Sequence, residues 1–489
     1  MKYCLSKVTN HILFPIAVNL IITALSLVIV LSLNVQFNPT FIIFLIVLIG
    51  CLQALLLTTT VLIKLRFPLL LQKVGASNSP KKFKKYALHC VFFVPFALFS
   101  GQELLSGLIA LSLAGGLMTI HWSKFYIREG KTQKFMTSYE PDILVYVCGG
   151  KNNAYQINQW LPVFEKSKHK ICILLRDTNL CAGMHETDVP IFVAITIRDI
   201  EKVVDLKPKV ALYTGNPMKN VELLRFTTLK HIFINHGESD KTVNQNKLML
   251  AYDHLFLGGK LAEDRLNKAG LHLREGQAVH IGRPQTGMLL SQFQTNNSRV
   301  NKVLYAPTWE GIVDELDYSS VRPEGLTMLE QLLKIEGLDI KVKFHPLTGT
   351  KKNMNKTARR SMTRFCIKNN IEVVDSNQNI TEVMNWSDMM ICDISSVLNE
   401  YLPTRKPIVL TNFQGIDASL LAEEYISSKG AYILKTSDDI APLISRVQKN
   451  DPEKRNEVEK LLEYSLSVSK GDSFERFENE LSKLCHDAP

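Results

Sequence analysis

Three long apolar stretches occupy residues 12–34, 41–63 and 87–120, and no Asp or Glu occurs before Glu103. Apolar runs of more than about 18 residues predict membrane helices. Two long runs in succession do not suit a cleaved signal peptide, whose apolar core is shorter. The third run is broken by "SGQE" at 100–103, which predicts a hairpin that either re-enters or crosses twice on thin arms. From residue 142 the pattern changes to short apolar runs between helical periodicities. The candidate strands are 143–149, 171–176, 210–214, 231–237 and 254–259, then 302–308, 340–346, 371–374, 388–393, 407–411 and 431–435. Runs of this length between helices predict parallel strands covered on both faces. Two such series predict two doubly wound α/β domains, hinged near "QFQTNNSR" at 292–299. The expected division is a membrane region at 1–137, an N-terminal Rossmann-like domain at 138–296 and a C-terminal one at 297–489, whose last forty residues are charged and helical in pattern.

Charge sharpens this division. The formal net charge is +10, yet residues 1–137 hold thirteen basic and two acidic residues, so the remainder is close to neutral. That argues against nucleic acid as a partner, because no basic excess is left to neutralise a phosphate strand. The loop 64–86 carries seven Lys/Arg and the segment 121–135 carries four, whereas the link "NVQFNPT" carries none. By the positive-inside rule both basic segments face the cytoplasm. A multi-pass protein of the cytoplasmic membrane is expected, with residues 64–86 and 121–489 cytosolic. Nine scattered cysteines without a CxxC pair argue against a disulfide framework or zinc site and suit a reducing compartment.

In open parallel sheets, ligands bind beyond the carboxyl ends of the strands. Four polar corners fall there: His236 and Gly237 after "HIFIN", Thr308 and Trp309 after "KVLYAP", His345 and Pro346 after "IKVKF", and Asp393, Ser395 and Ser396 after "DMMIC". A helix starting near Ser396 offers unpaired backbone N–H groups and the positive end of its dipole to a phosphate. The Ser395 and Ser396 hydroxyls add donors there, and Lys343 and Arg405 are candidate cations.

These corners, with "HIFINHG" followed by Lys241, "VLYAPTWEG", "VKFHP", "SDMMICDISSVLNEYLPTRKPIVL" and the closing "GDSFERF", resemble the CDP-glycerol glycerophosphotransferase family over roughly residues 140–485. That family builds poly(glycerol phosphate) chains of teichoic acids and some capsules. The resemblance implies a GT-B-like pair of Rossmann domains, membrane association, and transfer of glycerol phosphate from CDP-glycerol with release of CMP. It also implies that His236 and His345 are needed for activity. The donor is then a substrate, with no cofactor and no metal expected, and the partners are a lipid-linked or polysaccharide acceptor and the membrane.

Two stretches depart from the family pattern. Glu238, Ser239 and Asp240 stand where Thr-Pro-Leu is common before Lys241, and "GRPQTG" at 282–287 stands for Gly-Tyr-Pro-Arg-Asn-Asp. Both lie on the expected acceptor side, with Gly237, Glu238 and Lys241, and leave the acceptor and the donor's polyol open. Domain membership assigns the general base to His236 and donor-phosphate stabilisation to His345. Two other readings stand beside this one: a GT-B glycosyltransferase using a CMP- or UDP-sugar, resembling polysialyltransferases, and a non-catalytic scaffold.

Overall fold

The computed structural model describes residues 69–71, 135–136, 138–238, 246–286, 300–311, 314, 317–375, 378–436, 438–449 and 451–486. The three apolar stretches, nearly all of the two basic segments, the 292–299 hinge and Lys241 lie outside these residues. Among the described residues, no helix is long and apolar enough to cross a membrane. Both sheets belong to one compact unit, formed by residues 67–79 and 132–489.

The first sheet contains β1 (Leu69–Leu71), β2 (Ile143–Val147), β3 (Ile171–Leu175), β4 (Ile191–Val193), β5 (Val210–Tyr213), β6 (Lys230–Phe233), β7 (His254–Leu257) and β8 (Ala278–His280). Its order is β1-β4-β3-β2-β5-β6-β7-β8, parallel except for β1, which pairs antiparallel with β4. The second sheet contains β9 (Lys302–Ala306), β10 (Asp339–Val342), β11 (Glu372–Val373), β12 (Met389–Cys392), β13 (Ile408–Asn412) and β14 (Tyr432–Lys435). Its order, β11-β10-β9-β12-β13-β14, is parallel throughout.

Both sheets are wound the same way. The chain moves outward from the first strand of each series, then returns to that strand's other side and proceeds the opposite way. The direction reverses between β2 and β5 in one sheet and between β9 and β12 in the other, and a ligand crevice opens at such a switch point. The central strands β2, β3, β12 and β13 are buried at every position, which is why β2, β3 and β12 read as unbroken apolar runs rather than alternating ones. All eleven expected strands are present. The short strands β1, β4 and β8 were not expected.

One boundary is corrected. The helix Ser473–His486, expected within the second domain, packs on the first sheet. Its Phe477, Leu481 and Cys485 share a core with β2, β3 and β5. Phe477 is fully buried, with its ring centroid 5.4 Å from Trp160 and 6.1 Å from Phe256. The apolar stripe of that helix is legible in the sequence, but which sheet it covers is not.

Candidate active site

A cleft of about 590 Å³ opens between the carboxyl ends of the two sheets. Loops after β2, β5 and β6 form one wall. Loops after β9, β10 and β12 form the other.

His236 sits three residues past β6, at a corner made by Asn235. Asn235 takes a left-handed backbone, φ 54°, which asparagine tolerates better than most residues. Its side chain accepts from the His236 N–H at 2.8 Å, and its carbonyl accepts from Trp160 Nε1 at 2.6 Å. The His236 ring lies against the wall, with Nδ1 2.8 Å from the Thr214 carbonyl oxygen. A carbonyl oxygen only accepts, so Nδ1 carries the hydrogen and Nε2 of the neutral ring is left bare. Burial, reinforced by the Arg283 guanidinium, lowers the pKa of His236 to about 4 despite the opposing Thr214 bond. The ring is therefore neutral at physiological pH.

His345 lies in the opposite wall, three residues past β10. Its Nδ1 accepts from the Leu347 backbone N–H at 3.1 Å. An N–H only donates, so here Nδ1 carries no hydrogen and the neutral ring holds it on Nε2. The ring is flanked by Trp309, stacked with centroids 6.1 Å apart, and by Tyr155, edge-on at 5.3 Å. Tyr155 also meets His236 edge-on at 5.5 Å, so one aromatic side chain touches both histidines. Burial raises its pKa and keeps it neutral.

Tyr155 was not singled out in the sequence. A signal was present in the Gly-Gly that ends the first strand. Gly149 has φ +131°, and a Cβ there would stand 2.9 Å from Asn153, so this corner is built tight and precedes a ligand-facing segment.

The remaining expected residues divide. Thr308, Lys343, Ser395, Ser396 and Gly237 all line the cleft. Lys343 is mostly buried and donates from Nζ to the Asp375 carbonyl at 2.8 Å; burial lowers its pKa to about 8. Ser395 turns its hydroxyl to the Asp393 carbonyl, 3.1 Å away, and the Ser396 hydroxyl hydrogen-bonds Glu400. The helix they begin, Ser396–Tyr401, is only six residues long, so its dipole is weaker than a long helix would supply.

Gly237 marks the closest approach of the two walls, where a Cβ would come within 2.8 Å of Ser396 Oγ and 2.9 Å of Glu400 Oε1. Behind it Arg283, within the divergent "GRPQTG", donates to the His236 carbonyl at 2.9 Å and lies 3.6 Å from Glu400, with both side chains buried. Burial pushes the Glu400 carboxyl up, and Arg283 opposes that shift. Neither Arg283 nor Glu400 was expected at the site. Their pairing joins residues far apart in sequence and leaves no local pattern.

Three expectations change place. Asp393 is fully buried and faces inward, accepting from the Thr308 N–H at 2.7 Å, the Ser320 N–H at 3.0 Å and the Thr411 hydroxyl. It fixes the corner where β9, β12 and β13 end and does not line the cleft. Arg405 pairs with Glu459 at 2.5 Å, is half-exposed, and lies beyond the far end of the Ser396–Tyr401 helix, away from the cleft. Glu238 is buried and accepts from the Gly258 N–H at 2.6 Å, while its carbonyl accepts from Asn399 Nδ2 at 3.1 Å. It braces the two domains rather than lining the cleft.

A family model described as CDP-Glycerol:Poly(glycerophosphate) glycerophosphotransferase matches residues 212–483, more than half of the chain. The chain belongs to that family. It is an enzyme of CDP-glycerol glycerophosphotransferase type, and the matched span runs from β5 through both histidine corners to the last helix.

Among solved structures, the wall teichoic acid polymerase TagF overlaps at 15% identity and TM-score 0.49, covering 72% of this chain and 91% of that one. MnaA of S. aureus, in a structure with UDP, overlaps at 13% identity and TM-score 0.48, covering 71% and 98%. UDP-GlcNAc 2-epimerase from Neisseria meningitidis overlaps at 10% identity and TM-score 0.45, covering 70% and 100%. The two-sheet architecture of the glycerophosphotransferase rests on its own strand order. No curated protein sequence matches the chain.

Proposed function

We propose that the protein transfers glycerol phosphate, or a related polyol phosphate, from a CDP-linked donor to a hydroxyl of a lipid-linked or polysaccharide acceptor, releasing CMP. The supporting observation is the opposed protonation of two histidines across one cleft. In this reading the acceptor hydroxyl gives its proton to Nε2 of His236 as its oxygen attacks the phosphorus bearing the polyol. The new P–O bond forms while the bond from that phosphorus to the CMP oxygen breaks. His345, through its Nε2–H, and Lys343 stabilise charge on the transferring phosphate and the departing CMP. The diphosphate rests against the backbone of Ser396 and Val397, with the Thr308 corner beside it. No resident cofactor is needed, because the donor brings the activated phosphate.

The apolar stretches at 12–34 and 41–63 support a multi-pass anchor in the cytoplasmic membrane with the cleft in the cytosol. A lipid-linked acceptor of cell-surface polymer synthesis, such as a teichoic acid or capsule precursor, fits that setting.

The test is to incubate the purified protein with CDP-glycerol, other CDP-polyols, CMP-sugars and UDP-sugars in turn, with a crude lipid acceptor, and to measure the nucleotide released. Acceptor-dependent CMP from a CDP-polyol is expected. Turnover confined to sugar nucleotides would overturn the reading.

A further inference from the structure

The helix Asn353–Lys368 in the second domain carries a feature the cleft does not use. Residues 351–368 include seven Lys or Arg and no Asp or Glu, within a soluble portion that is otherwise slightly acidic. Its inner face is buried through Asn355, Met362 and Cys366. On the opposite face Lys356, Arg360, Arg364 and Lys368 follow one another at intervals of four residues, and all are exposed. That spacing sets the cations about 6 Å apart along the helix axis. Among the described residues none of the four makes an ion pair. By contrast Lys352, just before the helix, pairs with Asp314 and Asp317.

This row is unfavourable for the helix alone. Like charges four residues apart repel, and Lys356 stands near the positive end of the dipole, where no acidic residue relieves it. At the C-terminal end of the row, beside Arg364 and Lys368, lies Ile367, 68% exposed, and Met354 near the start of the helix is 55% exposed. A solvated face has no use for Ile367 among the cations, and a polyanionic chain would leave it unpaired. Cations flanking an outward apolar side chain match a lipid surface, which offers headgroup phosphates above an acyl boundary.

We propose that the outward face of the Asn353–Lys368 helix rests on an anionic phospholipid bilayer, with its four cations on headgroup phosphates and Ile367 in the acyl boundary. This stands independently of the transfer chemistry assigned to the cleft.

The test places a benzophenone amino acid at position 367 of the full chain, reconstituted with phosphatidylglycerol or phosphatidylcholine vesicles, and counts lipid adducts by mass spectrometry after illumination. Phospholipid adducts are expected in phosphatidylglycerol. They should fall to background in phosphatidylcholine, and likewise when Lys356, Arg360, Arg364 and Lys368 are all changed to Gln, since each cation near an anionic surface contributes about fivefold in partitioning and the four together about 600-fold. A probe at Met218, 73% exposed in the first domain, should stay at background. Adducts to protein alone, or equal lipid adducts at both positions or with both lipids, would overturn the proposal.

Discussion

The two sheets wind in the same order and each presents a histidine beyond its carboxyl edge, but the backbone around each ring fixes the opposite nitrogen. The first sheet offers Nδ1 of His236 a carbonyl, 2.8 Å away, and the second offers Nδ1 of His345 an N–H, 3.1 Å away. One ring is left with a lone pair to take a proton and the other with a hydrogen to give. In the proposed transfer, two identical residue types thus serve as base and donor through a single neighbour each. The difference lies in the loop geometry of two similar folds, not in the histidines.

The largest expected effect tests the first half of that contrast. His236→Ala removes the bare Nε2, and loss of a general base lowers turnover by about 100-fold to 10,000-fold. CDP-glycerol affinity, measured by calorimetry, should remain as in the parent protein. If this variant instead fails to bind nucleotide, the two histidines have exchanged roles. His345→Ala should do what His236→Ala does not. Loss of one charge-assisted hydrogen bond is worth about 1.5–3 kcal/mol, so donor affinity should fall about 10- to 150-fold along with turnover. Unchanged donor affinity would remove His345 from the phosphate.

Tyr155 touches both rings, and its replacement should blur the contrast. Tyr155→Leu removes two aromatic contacts worth about 0.5–1.5 kcal/mol each, and turnover should fall about 10-fold. Tyr155→Phe, which keeps the ring, should stay within about twofold, because the edge contacts themselves are what position the imidazoles. Equal losses in both variants would assign the effect to the hydroxyl.

The smallest effect is expected from pH. His236 works as a base only when neutral, and with its pKa near 4 it is already neutral at pH 5. The acid limb of kcat/KM should therefore fall near pH 4 rather than near the ordinary 6.5. Lys343 acts as a cation only when protonated, and its pKa near 8 sets the alkaline limb there. Between pH 5 and 7 activity should change less than about twofold. An inflection at 6.5 that is lost in His236→Ala would mean that the ring is more solvated than its place against Thr214 implies.

Much of this was legible in the sequence for a physical reason. Strands buried on both faces are strongly biased to apolar residues, so β2, β3 and β12 announce themselves, and the polar residues that end such runs stand out at the crevice. What was not legible depends on direction and on distant partners. Asp393 reads the same whether its carboxylate faces a ligand or turns inward to Thr308, Ser320 and Thr411. Arg405 looks like a free cation until Glu459 is brought beside it by the fold. Tyr155 carries no motif, and only the positive-φ glycine before it, Gly149, hints that its loop approaches the cleft.

The crossing of Ser473–His486 onto the first sheet orders events during synthesis. The domain that is translated first cannot close its core until Phe477, Leu481 and Cys485 have left the ribosome, because these side chains fill the space beside Trp160 and Phe256. Loss of a buried aromatic such as Phe477 costs about 3–5 kcal/mol, so a nascent chain stopped at residue 470 leaves the face of the first sheet beside Trp160 apolar, uncovered and open to chaperones. Trp160, whose indole N–H holds the Asn235 carbonyl at the His236 corner, is itself packed by a helix that arrives more than 300 residues later.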